Sequence, residues 1–229
     1  MRAIKAVIFD LDNTLVDFMS AKIKACEEVS RIANCGSTEE LLQYFLRNRC
    51  AFESFRSIEE FLREKGVFSP ELFSKCCETY EKVKIDNLQI YSGVKEVLGK
   101  LKSIGLKLAI VTDAENGKAI ARLRKFDLEK FFDAIVSADM CGKTKPEPDS
   151  ILLALKKLGV EAKDAVIVGD SIYRDISAGK RLGMLTIYAR YGDMNPRSSG
   201  EADFVAENPR DILEIVETIL FREREMSAN

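Results

Sequence analysis

Seven residues of this 229-residue chain have the types and spacing to do chemistry together: Asp10, Asp12, Thr112, Asp113, Lys145, Asp170 and Asp175. Asp10 and Asp12 stand two apart at the end of the apolar run Ala6 to Phe9, which is β-rich and too short for a helix. The run reads as a buried strand, and strand alternation points both carboxylates the same way. Taken alone, the pair fits either a ligand site or an Asp-x-Asp turn that caps the next helix. The other strand ends bear on that choice. Leu106 to Val111 finishes at Thr112-Asp113, Ala134 to Val136 leads into a loop holding Lys145, and Ala165 to Val168 finishes at Gly169-Asp170, with Asp175 close behind. Two acids about 4 Å apart repel by roughly 4 kcal/mol at an effective dielectric of about 20, so three gathered at one point need a cation. A hard divalent ion with oxygen ligands, Mg2+ first among them, meets that need. With Lys145 and the Thr112 hydroxyl it makes a socket for a dianion, for which phosphate is the obvious candidate.

These residues converge only if the strands run parallel, and from Ser92 onward strand-like and helix-like segments do alternate. Ser92 is expected to cap a helix with Val94, Val97, Leu98 and Leu101 on one face. Helices follow through Ala119 to Phe126, through Ile151 to Leu158, and up to Leu182, where Gly183 ends the helix. Leu185 to Ala189 and Asp203 to Ala206 read as further strands, and Asn208-Pro209 opens a last helix. Such alternation predicts an α/β fold: a doubly wound parallel sheet with helices on both faces and every strand's carboxyl end on one edge, where open α/β sheets bind ligands. Residues 18–89 have a different character. Ser37-Thr38-Glu39-Glu40 and Ser57-Ile58-Glu59-Glu60 each spell a capping box, and Ser69-Pro70 supplies an N-cap followed by proline. The expected organisation is a core of residues 1–16 and 91–229 interrupted by an all-helical insert over 17–90.

Composition narrows the chemistry. With no histidine in the chain, Ser-His-Asp and Cys-His catalysis are excluded, as are zinc sites of mixed Cys and His. Proton transfer falls to carboxylates, Lys, Tyr or Cys. Cys26, Cys35, Cys50, Cys76, Cys77 and Cys141 show no Cys-x-x-Cys spacing and read as reduced core residues. A net charge of -2 with both signs interspersed leaves no basic face for nucleic acid, which is not an expected partner. No apolar run approaches the roughly 18 residues of a membrane span, and the N-terminus runs straight into a strand instead of a signal peptide. A cytoplasmic protein without a membrane partner is expected, as monomer or homodimer.

Asp10-Leu11-Asp12-Asn13-Thr14-Leu15, Thr112-Asp113, Lys145-Pro146-Glu147-Pro148 and Gly169-Asp170-Ser171-Ile172-Tyr173-Arg174-Asp175, in that order, resemble the four motifs of the haloacid dehalogenase-like hydrolases. Within that superfamily the chain is similar to the phosphatases of small metabolites, such as phosphoglycolate and glyceraldehyde-phosphate phosphatases, which carry a small helical cap between the first and second motifs. The resemblance implies a Mg2+-dependent, Rossmann-like phosphatase acting on a small phosphorylated metabolite. Asp10 would be the nucleophile and pass through an aspartyl phosphate. Asp12 would be the general acid and base, a role that calls for burial among other acids. Mg2+ would be held by the Asp10 side chain, the Asp12 main-chain carbonyl and Asp170, and Asp175 would orient a metal-bound water or Lys145. Thr112, Lys145 and backbone N–H groups near Leu11, Asp12 and Asp113 would bind the phosphoryl oxygens.

Other readings compete. Asp113 also suits a helix cap, Asp175 a first-turn acid favoured by the helix dipole, and Lys145 a solvated loop. Arg47, Arg49 and Arg56 could meet a substrate's distal anion or simply be solvated. A haloacid dehalogenase needs only the first acid, so Asp12 favours the phosphatase; a sugar-phosphate mutase would use the same residues. A receiver-like signalling module also takes phosphate on an aspartate, but such a domain needs only about half this length and has no helical insert.

Overall fold

The computed structural model describes residues 4–47, 53–194 and 202–228, so Arg49 and Cys50 lie outside the described residues. The chain forms two compact units: Asp17–Gln89, and Met1–Val16 with Ile90–Asn229.

The unit Asp17–Gln89 is helical, with α1 (Phe18–Ala33), α2 (Thr38–Arg47), α3 (Arg56–Glu64) and α4 (Pro70–Asn87). Its core gathers Cys26, Phe45, Phe61, Cys76 and Tyr80. The described cysteines are free, and burial pushes the Cys26 and Cys77 thiols up to about 12, so both pack as apolar groups. Two of the three cap signals are realised. The Glu40 N–H donates to Ser37 Oγ at 3.2 Å while the Ser37 N–H donates to Glu40 Oε2 at 2.9 Å, and the Leu72 N–H donates to Ser69 Oγ at 3.1 Å. The Ser57 box is not formed. Helix α3 already begins at Arg56, and the Ser57 hydroxyl is buried, donating to the Tyr44 carbonyl at 3.3 Å. A tertiary partner outcompetes the local cap there.

The other unit carries a six-stranded parallel sheet: β1 (Ala6–Phe9), β2 (Lys107–Thr112), β3 (Ala134–Ser137), β4 (Ala165–Gly169), β5 (Leu185–Ala189) and β6 (Phe204–Ala206). The order β3-β2-β1-β4-β5-β6 is doubly wound, as the alternation predicts. Strands covered on both faces read as unbroken apolar runs, and every residue of β1 is fully buried. Ala6, Ile8, Ala109 and Val111 pack on Ile151, Ala154 and Leu155 of α8 (Asp149–Leu158). The alternate residues Val7, Phe9, Leu108 and Ile110 face the other way. They too are buried, on the side where α5 (Val94–Ser103) packs against α10 (Pro209–Ala228).

Ser92 does not cap α5. Gly93 occupies that position with φ of 90°, a conformation costly for any side chain, and its missing Cβ leaves 3.1 Å to Arg210 Cγ. The segment after β2 becomes α6 (Asn116–Lys125), the loop after β3 contains the one-turn α7 (Ala138–Cys141), and α9 (Ser177–Arg181) follows a wide π-type turn at Ile172–Ile176. β1 lies between β2 and β4, with Phe9 level with Ile110 on one side and Val168 on the other. The chain order reverses between β1 and β4, and the carboxyl ends on either side of such a reversal are where open sheets of this kind bind ligands. No helix of the described residues is long and apolar enough to cross a membrane.

Candidate active site

Register delivers the acids. The Asp10 N–H donates to the Val168 carbonyl at 2.9 Å, so β1 pairs with β4 right up to the point where the carboxylate leaves the sheet. The chain then turns sharply. Asn13 takes a left-handed φ of 62°, which asparagine tolerates, and the Leu15 N–H donates back to the Leu11 carbonyl at 2.9 Å. From β4, Asp170 follows Gly169, whose lack of a side chain is required: a Cβ there would lie 2.3 Å from Asp175 Cγ. Asp175 therefore tucks beneath the end of β4, fully buried, and accepts from the Ser171 N–H at 3.0 Å.

Lys145 reaches this cluster from the loop before α8. Its ammonium donates to Asp10 Oδ1 at 2.5 Å, Asp175 Oδ1 at 2.6 Å and the Val111 carbonyl at 3.1 Å, which uses all three of its protons. The Asp113 carboxylate fixes the Lys145 backbone, accepting its N–H at 2.9 Å, and takes Arg174 Nη1 at 3.3 Å on its other oxygen. Asp113 is thus a brace between two segments and not a helix cap. The Thr112 hydroxyl accepts the Ala114 N–H at 3.1 Å, and the Leu11 side chain is wholly buried, so only main-chain groups of Leu11 can face a ligand.

The electrostatics of the cluster follow from burial. Burial pushes the Asp10 carboxyl up to about 6; Lys145 works against that rise and Asp175 adds to it. Burial first, then Asp10 and Asp175, lift Asp170 well above the usual carboxylate range. Burial also opposes the charge on Lys145, but Asp10 and Asp175 outweigh it and hold the ammonium above its ordinary value. Asp10, Asp170 and Asp175 offer carboxylate oxygens within 4.8 Å of one another. With Asp113, these four acids face two cations, Lys145 and Arg174, so the cluster carries two negative charges when all four are ionised. One divalent cation balances that excess, and an all-oxygen donor set suits Mg2+.

The structure brings Asp10, Asp113, Lys145, Asp170 and Asp175 into one constellation, with Thr112 at the adjoining strand end. Asp12 differs. Its carboxylate is 21% exposed and forms an ion pair with the buried Arg122 of α6, so one of its oxygens is engaged by a cation instead of by the acid cluster, while its Oδ1 is buried. Sequence reasoning also missed Thr14. Its hydroxyl lies 3.4 Å from both Asp10 Oδ2 and Asp170 Oδ1 and accepts the Asp170 N–H at 3.1 Å. Thr14 and Arg174 could have been singled out by their place inside the acidic motifs. Arg122 carried no such signal, because an arginine on an amphipathic helix reads as surface.

The chain is also similar to known proteins. The haloacid dehalogenase-like hydrolase family matches residues 7–189. The glyceraldehyde 3-phosphate phosphatase of Methanopyrus kandleri is 31% identical, over 93% of this chain and 97% of its own. A phosphorylated carbohydrates phosphatase of Thermotoga maritima is 32% identical, over 94% and 100%. Among solved structures, a candidate β-phosphoglucomutase of Thermotoga maritima superposes with a TM-score of 0.80 at 28% identity, covering 95% of this chain and 100% of that one.

Proposed function

The chain belongs to the haloacid dehalogenase-like hydrolase family and is a phosphoric monoester hydrolase; on that premise we propose that it dephosphorylates a small phosphorylated metabolite with Mg2+ through an aspartyl phosphate on Asp10. The observation that carries this reading is the division of labour on one buried carboxylate. Asp10 Oδ1 accepts from Lys145, and Asp10 Oδ2 lies 3.4 Å from the Thr14 hydroxyl, which is equally far from Asp170 Oδ1. On this reading one oxygen meets a phosphoryl group beside a cation, and the other holds a metal.

In the first step Asp10 forms a bond to phosphorus, the ester P–O bond breaks, and the departing oxygen takes a proton from Asp12. In the second, water gives a proton to Asp12 and attacks phosphorus, which frees Asp10 and inorganic phosphate. The ion pair of Asp12 with Arg122 is the resting arrangement, and the carboxyl must leave it when substrate binds. Lys145 neutralises charge on the transferring group, and Asp175 and Asp113 fix its head and its backbone. The Asp10 and Asp170 side chains with the Asp12 main-chain carbonyl would hold Mg2+, which when bound supplies positive charge beside the phosphoryl oxygens. Thr112 and the N–H groups after Asp10 and Thr112 complete the phosphate cradle, and the Asp17–Gln89 unit serves as the cap that selects the substrate.

The relatives' names favour a phosphorylated carbohydrate as substrate, and the candidate phosphoglucomutase favours a mutase as the second reading. Hydrolysis of an aryl phosphate with Mg2+ tests the first. Activity abolished by EDTA and by Asp10→Asn supports it, and activity indifferent to both removes it. Conversion of a sugar monophosphate to its positional isomer without phosphate release would establish the mutase instead.

A further inference from the structure

The turn after Asp10 is held from a direction that none of the four motifs accounts for. Tyr191, just past the end of β5, donates its phenolic O–H to the Thr14 carbonyl at 2.6 Å. Its ring is fixed in turn by Tyr91, edge to face with centroids 4.9 Å apart, and the Tyr91 N–H donates to the Leu15 carbonyl at 3.1 Å. Gly192 lets the β5 segment come this close, because a Cβ there would sit 1.6 Å from the Asn13 carbonyl oxygen and 3.2 Å from Asp170 Cβ. Main-chain groups of Asn13, Thr14 and Leu15 are therefore each fastened or abutted from outside the turn. The residue at the centre of that grip is the one whose hydroxyl stands between Asp10 and Asp170.

We propose that Tyr191 is a positioning residue for the metal site. By pinning the Thr14 main chain it fixes the Thr14 hydroxyl between the Asp10 and Asp170 carboxylates, and so sets the spacing at which those two acids receive a divalent cation. The inference rests on the metal reading of the Asp10 and Asp170 pair given above. The hydrogen bond of Tyr191 goes to Thr14 and not to a carboxylate, so it acts through Thr14. Preorganised ligands gain affinity because the order they need is already present before the ion arrives.

Calorimetric titration of the full-length protein with Mg2+ alone, without substrate, tests this on Tyr191→Phe, which keeps the ring and its packing on Tyr91. The expected result is a Kd for Mg2+ raised between about threefold and tenfold, the range that one hydrogen bond supplies. KM for an aryl phosphate at saturating Mg2+ should stay within about twofold of the parent, because the binding groups for substrate are untouched. Thr14→Val should raise the Kd as well, and the double variant should be less affected than the sum of the two, since both act through one hydroxyl. A Tyr191→Phe protein that melts earlier but binds Mg2+ as the parent does would overturn the inference, leaving Tyr191 a structural anchor only. Fully additive effects would overturn the route through Thr14. A parent protein that takes up no Mg2+ would overturn the metal reading itself, and this inference with it.

Discussion

Asp10 is placed under opposed demands at the scale of the single residue. Burial pushes its carboxyl up to about 6 while Lys145, 2.5 Å away, favours the ionised form. A folded-state pKa above the ordinary 3.8 means that the folded protein binds this proton more tightly than the unfolded chain. The contribution to stability is therefore fully present below pH 3.8 and is withdrawn as pH rises through about 6, and Asp170 shifts in the same direction. Metal-free protein should show this as a melting temperature that drops between pH 4 and 6.5 relative to Asp10→Asn, with Mg2+ recovering the loss at pH 7. Parallel melting curves for the two proteins across that window would contradict it. Lys145 is the complementary case. Removing it as Lys145→Met leaves Asp10 and Asp175 buried without their shared cation, at a cost of about 3–5 kcal/mol by urea denaturation, with kcat down roughly 100-fold or more. Adding Asp175→Asn to that variant should return part of the stability but none of the rate.

Elements decide whether such residues meet, and here local signals and tertiary context divide the credit. The apolar runs that end in Asp10, Thr112 and Asp170 were legible because they are β-rich, too short for helices and alternate with helical segments, as strands buried on both faces do, and their register makes the ends level. The Ser57 box was misread because the same four residues offered a cap that a buried carbonyl on α2 then claimed. The ion pair of Arg122 with Asp12 and the Tyr191 bond to Thr14 could not be read, since they depend on which helix and which loop the sheet order brings beside β1. Two substitutions separate the kinds of element. Gly169→Ala puts a methyl group 2.3 Å from Asp175 Cγ, so it should cost about 1–3 kcal/mol and displace Asp175 from Lys145, lowering kcat. Ser69→Ala removes only the N-cap of α4 and should cost about 1 kcal/mol by thermal melting, with kcat unchanged. A Gly169→Ala enzyme with parental kcat would mean that Asp175 does not position Lys145.

At the scale of the whole molecule, the chain divides its labour between an α/β unit that carries the acids and a helical unit that carries none of the reacting groups proposed here. Substitutions at exposed positions of Asp17–Gln89 should therefore change the ranking of phosphorylated carbohydrates by kcat/KM and leave aryl phosphate hydrolysis within about threefold, as a panel of three-carbon and six-carbon phosphates would show. Hydrolysis by this route requires a phosphoryl group to reside for a time on one side chain. Acid quenching during turnover with Mg2+, followed by peptide mass spectrometry, tests that most directly. The peptide containing Asp10 should carry a phosphoryl increment that is lost in Asp10→Asn. Steady turnover with no such increment at any quench time, or an increment on a different peptide, would contradict it.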